Sequence, residues 1–359
     1  MSGPELLHPA SKGDVVEAVR GAAADRRRLL VAGGRRHIDK GSPAEIDAEL
    51  WTTQLDAIVA YEPAEMVAVV EAGVRLAELD AALAEGGQEW PHDAPPDATV
   101  GGTIAAGALS PRMLRHGHLR DTVLEVELVT GDGRFVRGGG RTVKNVTGYD
   151  LPRVLYGSLG TLGVLVQVAL KLRPLPKARR TVIAETVEPI ALGTALLDGV
   201  PLPVSVLAEP ARVRVRLEGW PGEVDEQTVR VSEVLASSGA DGSVIDGDPS
   251  FPSERPWNEA PIVAEVAVAP SRVPELVPGA GTVWAAPLGT GLLWAGLQNA
   301  EELAALRERV AAAGGIAPVV RGPGGLGEGP VAAPQVHRRL KNAFDPQAIL
   351  APGRAWGGW

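Results

Sequence analysis

The chain contains no cysteine, which excludes disulfides, thiolate metal sites, a cysteine nucleophile and any iron–sulfur cluster held by this polypeptide. Histidine is sparse. The six are His8, His37, His92, His116, His118 and His337, and no two stand at the HxxxH or HExxH spacing that sets paired imidazoles on one helix face, so no metal site is expected. Residues 177–330 hold none of them. Lysine and arginine form no block and the formal charge is −9, which argues against nucleic acid, because such partners gain affinity from clustered cations. No run approaches the ~20 apolar residues of a transmembrane helix. The opening MSGPELLHPASKGDVVEAVR has no apolar core of signal-peptide length. The expected location is the cytoplasm, with the inner face of a membrane reached only through a partner.

What is present fits a soluble protein of two domains: 359 residues, 45% hydrophobic and 22% charged. The 44 glycines and 30 prolines imply many tight connections. DVVEAVRGAAA (14–24) puts Val15, Val16 and Val19 on one helical face, and RRLLVAGG follows as a strand ending in glycine. AIVAYEP and EMVAVVEAG read as strands, and RLAELDAALAEGG as a helix with Leu76, Leu79 and Leu83 on one side and Gly86 as its C-cap. TVLEVELVTGDGRFVRGGG is a hairpin about Gly131-Asp132-Gly133. In VLVQVALKL the period of two places Val164, Val166, Val168, Leu170 and Leu172 on one face of a half-buried strand. From about residue 181 short strands (RVRVRLEG, IVAEVAVAP, LLWAGL) alternate with helices (GEVDEQTVRVSEVLASSG, AEELAALRERVAAAGG). RGPGGLGEGP reads as an exposed linker and QVHRRLKNAF as a closing helix. The fold class is α+β.

Four N-terminal segments concentrate glycine: AGGRRHIDKG, PPDATVGGTIAAG, GGGRTVKNVTGYD and GSLGTLGV. Glycine lets backbone amides approach a ligand without a Cβ in the way, and successive amides form an anion nest that suits a diphosphate. Each segment taken singly is more readily read as a turn. A Rossmann fingerprint needs a strand, GxGxxG and then a helix. Here Asp150 is placed as N-cap of a short helix over LPRVLYG, and Gly157, Gly160 and Gly163 lead into a strand, so a nucleotide would be gripped by loop amides rather than by a helix dipole.

The run from PPDATVGGTIAAG through RHGHLRDTVLEVELVTGDGRFVRGGGRTVKNVTGYDLPRVLYGSLGTLGVLVQVALKLRP resembles the flavin domain of the vanillyl-alcohol-oxidase-type (PCMH-type) FAD family. Within that family it resembles the FAD-binding E subunits of glycolate oxidases, and the tail FDPQAILAPGR resembles the family's closing segment. The resemblance implies a PCMH-type FAD-binding domain of two α+β subdomains (1–176), a smaller α+β cap domain (177–330) and a C-terminal helix and tail (331–359) returning to the first domain. It implies non-covalent FAD. Gly33, Gly34, Arg35, Arg36 and His37 would form the pyrophosphate cradle with Thr99, Val100, Gly101, Gly102 and Thr103, beside Gly107. Gly160, Thr161, Leu162, Gly163 and Val164 would hold the adenosine side, Lys144, Asn145, Gly148 and Tyr149 would lie near the flavin, and Arg354 would return from the tail.

The sequence departs from the family at three places. Ala32-Gly33-Gly34-Arg35-Arg36 stands where Arg-Gly-Gly-Gly-Thr is usual, Ala351 replaces a tail asparagine, and the HxGDGNxH motif of catalytic 2-hydroxy-acid members is missing. Arg35 or Arg36 would meet phosphate through its guanidinium or be simply solvated. His37 falls two residues late for a flavin-linking histidine. Arg115 and His116, with Arg112, His118 and Arg120, are the candidate carboxylate cation and base, with a structural histidine as the alternative; Asp121 is read as closing a local salt bridge. Trp220, Trp257, Trp284 and Trp294 are assigned chiefly to core packing. The resemblance therefore implies the FAD-binding subunit of a glycolate-oxidase-like complex acting on a small 2-hydroxy acid, with a catalytic flavoprotein subunit and an iron–sulfur subunit as partners. The alternatives are a stand-alone FAD oxidase or dehydrogenase and a flavin-free structural subunit.

Overall fold

The computed structural model describes residues 3–141, 150–247, 259–279, 281–323 and 333–355. The chain divides into two compact units: residues 1–108, 118–175 and 330–359 form the first, and residues 109–117 and 176–329 the second.

The first unit is built on two larger sheets and a two-stranded antiparallel pairing of Gln88–Glu89 with Arg173–Pro174. Leu29–Ala32, Ala48–Trp51 and Glu5–Leu7 form a small parallel sheet with Ala48–Trp51 in the middle, and Leu350 adds a parallel bridge beside Leu29. The helix Lys12–Ala24 covers it. Ser11 accepts a hydrogen bond from the Asp14 amide as N-cap, and Val15, Val19, Ala22 and Ala23 are buried. The second sheet is antiparallel, in the order Ile58–Glu62, Val67–Glu71, Val164–Lys171, Val123–Val129, Phe135–Gly139. The helix Leu76–Glu85 buries Leu76, Leu79 and Leu83 against this sheet's core, ending at Gly86. The hairpin turns at residues 130–134, where the Gly133 amide donates to Thr130 O and Gly133 takes φ +76°.

The strand Val164–Lys171 differs from its sequence reading. It is buried on both faces up to Leu170, because it is a central strand between two cores. A β-bulge within the strand itself leaves Val166 as the extra residue between the pairs Gln167–Glu127 and Leu165–Leu128 and shifts the register. Val164 and Val166 therefore join the core beneath the parallel sheet, whereas Leu165, Val168, Leu170 and Leu172 join the other. A one-residue slip changes the face that each side chain occupies, so the five residues expected on one face are divided between two.

The second unit is an eight-stranded antiparallel sheet in the order Gly242–Asp246, Ala178–Glu185, Arg212–Gly219, Ser205–Glu209, Val283–Pro287, Leu292–Leu297, Ile262–Ala267, Val319–Arg321. The helices Pro189–Gly199, Pro221–Ser237 and Ala300–Ala312 pack on one core with Val206, Ala208, Val213 and Val215. Strand alternation sends Leu207, Val263, Ala285 and Trp294 to a second, smaller cluster with Met113. Residues 109–117, flanked on both sides by the first unit's chain, thus pack with the sheet of the second. Trp284 and Trp294 are buried, Trp220 is exposed, and Trp257 lies outside the described residues. Among the described residues no helix is long and apolar enough to cross a membrane.

Candidate functional site

A cleft in the first unit is lined by Val31–Ile38, by Ala98, Thr99, Gly101, Gly102, Ala105 and Ala106, by Leu159, Gly160, Gly163 and Leu165, and by Thr52, Ala72 and Arg354. Three of the four glycine-rich segments and the C-terminal tail therefore meet. The third segment is only partly described: Lys144, Asn145, Gly148 and Tyr149 lie outside the described residues.

The expected loops do not use their amides alike. At Thr99–Thr103 the chain forms the first turn of a short helix, Val100–Ala105, capped by the Thr99 hydroxyl on the Gly102 amide at 3.2 Å. Its other early amides are also taken: Val100 donates to Val74 O, Gly101 to Ala72 O and Thr103 to Thr99 O. The expectation of an amide-presenting loop is corrected here, since helix formation and contact with residues 72–74 consume those donors. Val100 is core. Thr103 is fully buried, with no hydrogen-bond partner for its hydroxyl.

The first loop is different. Among the described residues the amides of Gly33, Gly34, Arg35 and Arg36 donate no hydrogen bond within the chain, and all four residues line the cleft. Four successive N–H groups without partners in the chain are open to an acceptor that approaches from outside it. Gly160, Leu162 and Gly163 likewise donate from the backbone to no partner. The glycines themselves answer to neighbours in the chain. A Cβ on Gly33 would collide with the Thr99 side chain, one on Gly34 would lie 2.5 Å from Asp97 O, and one on Gly163 would lie 2.6 Å from Leu128 Cδ1. The missing Cβ atoms allow the loops to pack close together, and the amides remain for a ligand.

Charge in the cleft comes from arginine. Arg35 sits at φ +57°, a left-handed conformation that explains why glycine is usual there. Its Nη1 donates to Glu49 Oε2 at 2.5 Å and its guanidinium lies 5.4 Å from the Trp51 ring centre. Arg36 pairs with Asp97. Arg354 is buried and donates to Ile38 O at 2.5 Å; burial lowers its pKa, opposed by nearby Asp39 and assisted by Arg35. Leu159, absent from the sequence expectations, lines the cleft at φ +55°, and no residue-type signal marks it. Gly107 (φ +60°) packs against Gly157, while Thr161 and Val164 are buried beside the cleft rather than lining it.

The residues singled out for proton and carboxylate chemistry, Arg115 and His116, share the four-residue helix Met113–His116 of the second unit. Arg115 Nη1 donates to Leu202 O at 2.8 Å. His116 Nε2 lies 3.6 Å from Glu218 Oε2, whose carboxylate also faces Arg112, Arg179 and Arg216 at 3.8, 3.6 and 3.2 Å. Burial alone would raise the Glu218 pKa, but the nearby His116 imidazole and the three guanidinium groups outweigh it and hold it at about 2. In the first unit burial, with Arg120, lowers the His118 pKa, and Asp121 pairs with Arg153 and Arg120.

A linear array of unused amides beside a buried arginine fits the phosphates of a dinucleotide. Residues 5–139 match the family model described as an FAD binding domain. Over 95% of its length the chain is 31% identical to glycolate oxidase subunit GlcE of Escherichia coli, covering 96% of that protein. Over 50% of its length it is 33% identical to glycolate oxidase subunit GlcD of Bacillus subtilis, covering 39% of it. Among solved structures an alkyldihydroxyacetonephosphate synthase superposes with a TM-score of 0.70 over 97% of this chain and 75% of that one, at 17% identity, which speaks for the fold alone.

Proposed function

This chain belongs to the PCMH-type FAD-binding family that includes glycolate oxidase subunit GlcE, and from that membership we propose that it is the non-covalent FAD-carrying subunit of a dehydrogenase complex oxidising a small 2-hydroxy acid, glycolate to glyoxylate. Bound FAD supplies a two-electron acceptor for the pair of hydrogens that the alcohol carbon and its hydroxyl lose. The first unit is the flavin domain, and the second is the cap.

The observation that carries the reading is the row of unpartnered amides from Gly33 to Arg36. These donors, together with the Arg354 guanidinium, would bind the diphosphate. Gly160 and Gly163 would receive the adenosine half through their backbones. His37 lines the same cleft and is assigned to the phosphate side, with no bond to the flavin.

Within the complex a catalytic flavoprotein subunit and an iron–sulfur subunit are the proposed partners. The names of the GlcE and GlcD relatives each describe a subunit of a glycolate oxidase. This chain has no cysteine to hold a cluster, and residues 177–330 have no histidine to act as base. Arg115 and His116 carry the proposed carboxylate and proton roles if the chain acts alone. Their contacts with Leu202 O and Glu218 favour the subunit reading instead.

The test is reconstitution of the purified chain with FAD. Yellow absorbance that survives gel filtration is expected and is released free of protein by acid. A colourless chain would remove the proposal, and turnover of glycolate by the isolated chain would replace the subunit reading by a stand-alone enzyme.

A further inference from the structure

The C-terminal segment FDPQAILAPGR enters the flavin reading only through resemblance, yet the helix that leads into it carries one of the most buried cations of the first unit. Lys341, on the helix Pro334–Phe344, is 4% exposed. Its Nζ donates to Asp345 Oδ2 at 2.7 Å, Thr161 O at 2.9 Å and Leu350 O at 2.8 Å, so three N–H groups meet three acceptors. Asp345 in turn accepts from the Ile349 and Leu350 amides at 3.0 and 2.8 Å.

We propose that Lys341 is a positioning residue that ties the Leu159–Gly163 turn to the C-terminal segment and thereby sets the unused amides of Gly160 and Gly163 for the ligand of the cleft. The part concerning ligand affinity rests on the flavin reading above, whereas the ordering of the turn does not.

Three relationships carry this. First, the turn holds Leu159 and Gly160 at φ +55° and +75°, and a leucine in that region needs surrounding contacts to keep it there. Its own anchors are the Leu159 amide on Ala105 O and the Thr161 amide and hydroxyl on Ser158 O. Lys341 supplies the anchor to Thr161 O from 180 residues away. Second, the segment it gathers is the one that builds the cleft's other side: Leu29 donates to Ile349 O and Ala351 donates back to Leu29 O, so the tail extends the sheet whose strand runs into Gly33. Third, Arg354 in the cleft wall follows directly from that segment. Burial lowers the Lys341 pKa and Asp345 opposes this, and the three acceptors are those an ammonium needs when water is excluded.

The experiment compares Lys341→Met with Val19→Ala, a truncation in the core under the parallel sheet, chosen for a similar loss of melting temperature. In the FAD-free chain, amide hydrogen exchange of residues 159–164 is expected to rise about tenfold or more in Lys341→Met and to stay near wild type in Val19→Ala. The dissociation constant for FAD, read by flavin fluorescence, should rise about tenfold only in Lys341→Met, a change of about 1.4 kcal/mol. If Lys341→Met does not fold, Lys341→Gln, which retains donors without the charge, takes its place. Exchange and affinity indistinguishable from Val19→Ala would overturn the proposal. Failure of the wild type to take up FAD would count against the flavin reading, and the exchange measurement would still decide the role of Lys341.

Discussion

Arg35 Nη1 lies 2.5 Å from Glu49 Oε2 and its guanidinium 5.4 Å from the Trp51 ring centre, so the arginine that replaces a glycine in the first loop spends its charge on the sheet beneath. A carboxylate and an aromatic face already compete for this cation. Arg35→Ala is expected to change FAD affinity by less than about threefold, whereas Arg354→Ala, which removes the buried guanidinium, should weaken it by more than about tenfold. Titration of each apoprotein with FAD separates the two. Equal losses would mean that Arg35 leaves Glu49 when ligand binds.

Gly33 and Thr99 are coupled by shape. A Cβ at position 33 meets the Thr99 side chain, the same side chain that caps the helix Val100–Ala105. Gly33→Ala should cost about 2–3 kcal/mol by overpacking, and Thr99→Ala about 1 kcal/mol through loss of the cap. Because Thr99→Ala removes the nearest clashing atom, the double variant should be more stable than the sum predicts, by roughly 1 kcal/mol in a denaturant cycle. Strict additivity would show that the two do not touch in solution.

Glu218 is expected to contribute to the acid sensitivity of the second unit. Its folded pKa, at about 2, lies below the ordinary 4.5, so its contribution is complete above pH 4.5 and is lost as pH falls through that range towards 2. Glu218→Gln leaves Arg112, Arg179 and Arg216 facing a neutral group and should destabilise by about 3–5 kcal/mol near neutrality. It should also flatten the melting-temperature profile between pH 4.5 and 2. A variant whose acid limb matches wild type would assign the acid transition to other carboxylates.

Met113 tests the loyalty of residues 109–117. It is packed with Leu207, Val263, Ala285 and Trp294, so Met113→Ala should lower stability by about 2–4 kcal/mol. Hydrogen exchange should report the loss first in the strands Ser205–Glu209 and Leu292–Leu297. Loss confined to the first unit would contradict the packing.

Much of the fold was legible because periodicity reports burial: the helices at Leu76–Glu85, Pro221–Ser237 and Ala300–Ala312 and the hairpin at residues 130–134 follow from apolar spacing and turn glycines. Asp150, read as an N-cap, accepts from the Arg153 amide. The division of Val164–Lys171 between two cores was hidden, because the bulge falls at Val166 within an almost wholly apolar run, where a slip in side-chain alternation leaves no mark. The four glycine loops looked alike as composition. Only hydrogen bonding distinguishes Val100–Thr103, whose amides the fold consumes, from Gly33–Arg36, whose amides it leaves. Lys341 stands in the closing helix read from QVHRRLKNAF, but a lone lysine on a helix gives no indication that it is buried.

The bond from Arg354 to Ile38 O joins residues 316 positions apart, and Leu350 stands beside Leu29 in the same sheet. During synthesis the edge at Leu29 must therefore wait, without its neighbour, until nearly all of the described chain has left the ribosome. A fragment ending near residue 176 would carry the glycine loops but not the strand and arginine that finish the cleft wall. Expressing the nucleotide-binding half by simple truncation should give an aggregation-prone product, whereas a circular permutant that joins the tail directly ahead of the first strand should keep the pieces together.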